Sequence, residues 1–190
     1  MKKIRIAVFA SGSGSNAENI AQYFSVNESV IIDSIWTNNP NSFVLERAKR
    51  MNIKSFTFTR EEFKNSDIVL NELQKREINL IVLAVFLWLI PQNLIRQFKI
   101  MNIHPALLPK YGGKGMFGMN VHNAVVENKE TETGITIHYV NEHYDDGEII
   151  FQAKCEVKPE DTPQDVATKV HELEYHYFPM IIGQVASQML

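Results

Sequence analysis

No run of apolar residues in this chain is long enough to cross a membrane. The longest, from Leu80 to Ile90, falls far short of the roughly 20 residues a spanning helix needs. The basic start Met1-Lys2-Lys3-Ile4-Arg5 superficially resembles a signal peptide. The apolar run behind it, Ile6 to Ala10, ends in Ser11-Gly12-Ser13-Gly14, short of the roughly 7–15 residues such a peptide requires. Export and membrane insertion are therefore not expected, and a cytoplasmic location is. Cysteine is nearly absent. Cys155 is the only one, which excludes an intramolecular disulfide and suits a reducing compartment. Its flanks, Ala153-Lys154 and Glu156-Val157, read as a strand, so a structural thiol is favoured over a nucleophile. An excess of one charge is lacking too. With 19 basic and 22 acidic residues the net charge is −3, which argues against a general nucleic-acid surface but permits a local anion site. No repeat, low-complexity tract or linker divides the 190 residues. The expectation is one domain over residues 1–190, long enough to bury a core.

The chain alternates strands and helices. Ile4 to Ala10 becomes wholly apolar, as a strand buried on both faces does. A Ser/Gly turn leads into a helix from about Asn16 to Phe24. Val30 to Trp36 forms the next strand and ends in the turn-rich Thr37-Asn38-Asn39-Pro40-Asn41-Ser42, with Ser42 a candidate N-cap for a helix through Met51. Ser55 to Phe58 reads as a short strand, Ser66 to Glu77 as a helix and Leu80 to Ala84 as a buried strand. Pro91 suits a helix start. A short strand, Ile100 to Ile103, follows. This pattern predicts an α/β, doubly wound, mostly parallel sheet with ligands at the carboxyl ends of its strands, where loops begin at Ser11, Thr37, Val85 and Asn102. The last third differs. Gly134 to Val140 and Glu148 to Val157 read as an antiparallel strand pair, and Thr162-Pro163-Gln164-Asp165 opens a final helix running to the C-terminus.

The turn Ser11-Gly12-Ser13-Gly14-Ser15-Asn16-Ala17 leaves three readings open. As Gly12-x-Gly14-x-x-Ala17 it matches a dinucleotide fingerprint. That site wants an acidic residue at the end of the second strand, but the strand ends in Trp36-Thr37-Asn38-Asn39, and Asp33 lies inside it. A phosphate site is favoured: small residues admit a phosphate to backbone N–H groups, the helix supplies its positive end, and Ser11, Ser13, Ser15 and Asn16 offer further donors. A tight turn with no ligand is the third reading.

Met101-Asn102-Ile103-His104-Pro105 presents an amide and an imidazole together. Side chains alternate in a strand, so Asn102 and His104 point one way, and Pro105 keeps His104 extended. The amide suits an oxyanion and the imidazole suits proton transfer near neutral pH. On these two residues alone, a polar strand end with a satisfied core histidine is as good a reading.

The continuation, Ala106-Leu107-Leu108-Pro109-Lys110-Tyr111, completes a stretch that closely resembles the signature of the folate-dependent formyltransferases. The resemblance covers the chain from the Ser/Gly loop to the final helix. Of the family's branches it is similar to the one acting in purine synthesis, not to those acting on methionyl-tRNA or hydrolysing formyltetrahydrofolate. Asn38 and the helix Leu45-Glu46-Arg47-Ala48 share that likeness. The resemblance implies a Rossmann-like formyltransferase fold and transfer of a formyl group from 10-formyltetrahydrofolate, as co-substrate, to the amine of glycinamide ribonucleotide. It implies no metal, nucleic acid or membrane partner, in a monomer or homodimer. Its catalytic set falls on Asn102, His104 and Asp145, the last within His143-Tyr144-Asp145-Asp146-Gly147, where Asp146 occupies a position that is often glycine. The ribonucleotide falls to Gly12, Ser13, Gly14, Ser15 and Asn16, with Glu174 and His171 of the final helix at its glycinamide end. The folate falls to Phe86, Leu87, Leu89 and Ile90, with backbone at Val140, Asn141 and Asp145; ordinary core is the competing reading of the apolar residues. Two departures stand out. Trp88 replaces a common arginine. The stretch Gly112-Gly113-Lys114-Gly115-Met116-Phe117-Gly118-Met119-Asn120 before His122 is longer than usual and reads as a mobile flap, with Lys114 either meeting an acidic group or free in solvent. The same chemistry on another phosphorylated amine, or a non-catalytic nucleotide-binding module, are the alternatives.

Overall fold

In the computed structural model, which describes residues 3–190, seven strands form one sheet in the order β3-β2-β1-β4-β5-β6-β7. The basic start Met1-Lys2 lies outside the described residues. The elements run β1 (Ile4–Phe9), α1 (Ser15–Tyr23), β2 (Val30–Thr37), α2 (Val44–Arg50), β3 (Lys54–Thr57), α3 (Arg60–Lys64), α4 (Ile68–Lys75), β4 (Leu80–Leu83), α5 (Gln92–Gln97), β5 (Lys99–His104), α6 (Met119–Glu127), β6 (Glu132–Tyr139), β7 (Ile149–Glu156) and α7 (Pro163–Ser187). The first five strands pair in parallel. β6 runs antiparallel to both β5 and β7, so the antiparallel part begins one strand earlier than the pair read from the sequence. No helix among the described residues is long and apolar enough to cross a membrane.

Strand order reverses between β1 and β4, which is where a doubly wound sheet opens a crevice for ligands. The side chains of the central strands divide by parity. Ile6 and Val8, Leu80 and Val82, and Met101 and Ile103 enter one apolar layer with the inner face of α7. Ala7 and Phe9, Ile81 and Leu83 enter the other. This alternation explains why β1 from Ile6 onward and β4 read as unbroken apolar runs. The second layer is aromatic: Phe9 stacks on Trp36 with centroids 5.6 Å apart, Trp36 on Phe56 at 4.3 Å, and Phe58 on Phe63 at 4.9 Å. Each such pair adds about 0.5–1.5 kcal/mol beyond the area it buries.

Asp33 lies in mid-strand. Its carboxylate is held by Arg5 and, at 2.6 Å, by Arg76 Nε, with only 3% of the side chain exposed. Burial raises its pKa, but the two arginines and Ser34 outweigh that and hold it below the ordinary value. It is a structural ion pair away from the ligand edge, so the dinucleotide reading of the first loop loses its acidic partner.

Two local expectations are corrected. Ser42 does not cap α2: its hydroxyl meets Thr37 Oγ1 at 3.0 Å, and the helix starts behind Phe43 without a side-chain cap. The glycine-rich stretch ends in α6, which buries Val121, His122 and Val125 and was not legible as a helix. The final helix starts as its sequence requires, with Thr162 and Asp165 forming a capping box and Pro163 at the first position.

Candidate active site

A cavity of about 570 Å³ opens at the crevice between β1, β4 and β5. Its walls include Gly12 to Ser15, Leu83 to Ile90, Asn102 and His104, the glycine stretch Gly113 to Gly118, His138 and Val140, His143 to Asp145, and His171 and Glu174 of α7. The loop after Thr37 does not reach it, contrary to the expectation from strand ends; the Thr37 hydroxyl turns inward to receive Asn39 N–H at 3.2 Å.

The Ser/Gly loop is shaped by Gly14. Its φ of +75° lies in the left-handed region, and a Cβ there would sit 2.2 Å from Val44 Cγ2, so no other residue fits. Gly14 is the N-cap of α1 and no side chain caps the first turn, which leaves the N–H groups of that turn without a side-chain acceptor where Gly14 and Ser15 line the cavity. Arg47 of α2 donates from Nε to the Ser13 carbonyl at 2.9 Å and pairs with Glu18, bracing the loop from behind. Asn16 differs from the expectation for a ligand donor. It is buried, and its Nδ2 donates to Glu174 Oε2 at 2.9 Å. The side chain is thus turned to α7, and Asn16 is absent from the cavity wall. Ser11 Oγ accepts Leu87 N–H at 3.1 Å, and Ser11 is absent from the cavity wall. Val85, between these elements, has φ +63°, a rare conformation for a β-branched residue and one that marks strain beside a site.

Asn102, His104 and Asp145 converge on the opposite wall. His104 Nε2 lies 2.7 Å from the Tyr111 carbonyl. A carbonyl only accepts, so Nε2 carries the proton. Nδ1 faces Asp145 Oδ2 at 3.5 Å, too far for a strong hydrogen bond. Burial pushes the His104 pKa below its ordinary value, with Asp145 pulling the other way. The ring is therefore neutral, with Nδ1 as its basic atom. Burial pushes Asp145 up, but the neighbouring His138 and His104 rings and the Gly113 N–H, which donates to Oδ2 at 3.0 Å, hold the carboxyl below its ordinary value. Asn102 Nδ2 donates to His138 Nε2 at 3.1 Å and meets Asp145 Oδ1 at 3.5 Å. The second contact is weak, so one amide hydrogen is loosely held and free to turn to a ligand. Of the two neighbouring aspartates, Asp145 lies at φ +53° and lines the cavity, while Asp146 is exposed.

The remaining candidates divide. Phe86, Leu87, Leu89, Ile90 and Val140 line the cavity; Asn141 does not, and its Oδ1 accepts His143 N–H at 2.9 Å. Trp88 joins the wall as part of the aromatic layer, its ring centroid 5.9 Å from that of Phe63 and 6.1 Å from that of Phe58. Glu174 and His171 stand together, His171 Nδ1 being 2.8 Å from Glu174 Oε2. That bond outweighs burial and raises the His171 pKa. Lys114 is the one lysine or arginine among the cavity-lining residues. Among the described residues no cluster of His, Cys, Asp and Glu has metal-site geometry.

Several residues escaped the sequence reading. His138 fixes the Asn102 amide, donating from Nδ1 to the Tyr139 carbonyl at 2.8 Å so that Nε2 is left as an acceptor. Tyr111 supplies the carbonyl that sets the His104 tautomer, and its hydroxyl donates to Glu130 at 2.9 Å. Period-two spacing from Thr136 made His138 findable as an inward residue of β6. The roles of a backbone carbonyl and of Arg47 left no sequence signal.

Comparison with known proteins identifies the family. The formyl transferase family model matches residues 4–182. The phosphoribosylglycinamide formyltransferase of Haemophilus influenzae is 36% identical over 189 residues, covering 96% of this chain and 86% of the relative. The chloroplastic enzyme of the same name from Arabidopsis thaliana is 35% identical over 199 residues, covering 100% of this chain and 68% of the relative. The crystal structure of glycinamide ribonucleotide transformylase 1 from Geobacillus kaustophilus superposes with a TM-score of 0.89 at 31% identity, covering 97% of this chain and 99% of that one. With the family model spanning nearly every element that builds the cavity, the chain belongs to the formyl transferase family.

Proposed function

We propose that this enzyme transfers the formyl group of 10-formyltetrahydrofolate to the amine of glycinamide ribonucleotide, a step of purine biosynthesis. The observation that carries the reading is the placement of Asn102, His104 and Asp145 between two unlike walls of one cavity. One wall, the Ser/Gly loop with Glu174 and His171, suits a phosphorylated polar acceptor. The other, Phe86 to Ile90 with Val140, suits the flat apolar body of a folate. Trp88 offers this wall an aromatic face where the family resemblance implies an arginine.

The chemistry follows from the atoms. The acceptor amine attacks the formyl carbon, forming a carbon–nitrogen bond and a tetrahedral oxyanion. The loosely held amide hydrogen of Asn102 stabilises that oxygen. His104 Nδ1 takes a proton from the attacking nitrogen, and the Asp145 carboxylate stabilises the imidazolium so formed. The bond to the folate nitrogen then breaks, and the proton passes to that leaving nitrogen. No net charge is left behind, and the imidazole returns to its neutral tautomer. We assign this work to the cytoplasm, in keeping with a single half-buried cysteine.

Purified protein with both substrates tests the reading. Formylated ribonucleotide detected by mass spectrometry is expected. A panel of competing phosphorylated amines tests the acceptor, and a nucleotide sugar that outcompetes glycinamide ribonucleotide would overturn its assignment.

A further inference from the structure

His122 lies in α6 and is 6% exposed, yet it lines the cavity. Its Nδ1 is sealed from solvent and meets no hydrogen-bond partner. Its Nε2 is not among the sealed atoms and bonds nothing else in the protein. A buried N–H without an acceptor is expensive, whereas an unused lone pair costs less. The neutral ring therefore carries its proton on Nε2, on the side open to the cavity. A charged ring would strand an N–H at Nδ1. Burial disfavours that charge further, against the pull of Glu174; His171 and His104, the other titratable groups that face this ring from α7 and β5, oppose it whenever they are protonated.

Glu174 supplies the complement. Both Asn16 Nδ2 and His171 Nδ1 engage its Oε2, at 2.9 and 2.8 Å. Oε1 has no such partner, although the side chain is 7% exposed. One region of the cavity thus offers a neutral donor and an anionic acceptor. A phosphate is unsuited to it, because the carboxylate repels a second anion. A hydroxyl or a primary carboxamide suits it, since each both accepts and donates.

We propose that His122 is a specificity residue for the acceptor, donating from Nε2 to a neutral oxygen of a hydroxyl or carboxamide whose hydrogen turns to Glu174. The inference rests on the reading of the acceptor as a phosphorylated ribosyl amide and adds a contact to it. It separates the acceptor's neutral part, held by α6 and α7, from its phosphate, held at α1.

The test compares His122→Phe with His122→Gln, whose amide nitrogen reaches the place of Nε2. In His122→Phe the KM for glycinamide ribonucleotide should rise about tenfold, the equivalent of one lost hydrogen bond. The KM for 10-formyltetrahydrofolate should stay within about twofold, and His122→Gln should recover most of the loss, as expected of a contact made to one substrate by one donor. Nitrogen-15 NMR of the unaltered enzyme should show Nδ1 unprotonated at neutral pH. A proton on Nδ1, or an unchanged acceptor KM in a well-folded His122→Phe, would overturn the inference. If the unaltered enzyme failed to formylate glycinamide ribonucleotide, the acceptor reading itself would fall. The two failures are distinct because the tautomer is read without substrate.

Discussion

Replacing Asp145 with asparagine isolates its charge. Asparagine is the right probe because residue 145 lies at φ +53°, a conformation asparagine tolerates and alanine does not. Its amide oxygen can still accept the Gly113 N–H, which now reaches Oδ2 at 3.0 Å. What is lost is the carboxylate charge 3.5 Å from His104 Nδ1. At that separation, with an effective dielectric constant of about 20, a unit pair is worth about 5 kcal/mol. The side chain is 11% exposed, so some screening applies, and about 4 kcal/mol of transition-state stabilisation corresponds to about a 10³-fold loss of kcat. Steady-state formyl transfer, with thermal melting as the folding control, measures it. The acid limb of the pH profile should also move to lower pH, because Asp145 is the main influence raising the buried His104. Asp146→Asn is the internal control: that side chain is exposed, and activity should stay within about twofold, as for a surface change away from the site's contacts. An Asp145→Asn enzyme that kept more than about a tenth of wild-type kcat would refute the electrostatic role.

Gly147→Ala should harm both stability and turnover. A Cβ there would lie 1.7 Å from the Tyr139 carbonyl oxygen, so the loop bearing Asp145 must move. A cost of about 2–3 kcal/mol, or a Tm lower by about 5–10 °C, is expected, and an unchanged melt would contradict it. Acid should weaken the fold below about pH 6.5, the unfolded histidine value. His104 and His122 both have folded pKa values lowered mainly by burial, so the unfolded chain binds protons first. Each contributes stability that is present above that pH and declines by up to about 1.4 kcal/mol per unit as pH falls, until the folded value is reached. His171, with a raised pKa, works in the opposite sense, but its side chain is 44% exposed and its effect is smaller. Urea titrations at two pH values measure the slope, which should flatten in His122→Gln. Trp88→Ala should raise the KM for 10-formyltetrahydrofolate about tenfold while leaving that for the acceptor within about twofold, since it removes one aromatic face from one wall.

The architecture was legible where periodicity and burial agree. β1 and β4 are apolar on both faces, and the structure buries them so. The start of α7 could be read from Thr162, Pro163 and Asp165. α3 was missed although Thr59 and Glu62 form a capping box, because five residues with one buried phenylalanine carry no period. α6 was missed for a related reason: it starts behind Gly118 with no side-chain cap, so neither a start signal nor a long stripe marks it. Strand order depends on long-range pairing, and no local pattern encodes it. At the site, the strand alternation of Asn102 and His104 put two groups together, but the third came from the resemblance and not from spacing. Asp145 belongs there because the loop after β6 folds back, with Gly147 against Tyr139. The residues that set protons, Tyr111 through its carbonyl and His138 through its lone pair, act by atoms that a sequence does not single out.

The most direct measurement pairs formyl transfer with substrate binding in His104→Gln. The account predicts that the unaltered enzyme forms formylated glycinamide ribonucleotide, while the variant melts within a few degrees of it, binds both substrates by calorimetry and transfers at least about a hundredfold more slowly. Transfer by the variant at the unaltered rate would contradict the claim that this imidazole, poised between Tyr111 and Asp145, moves the proton.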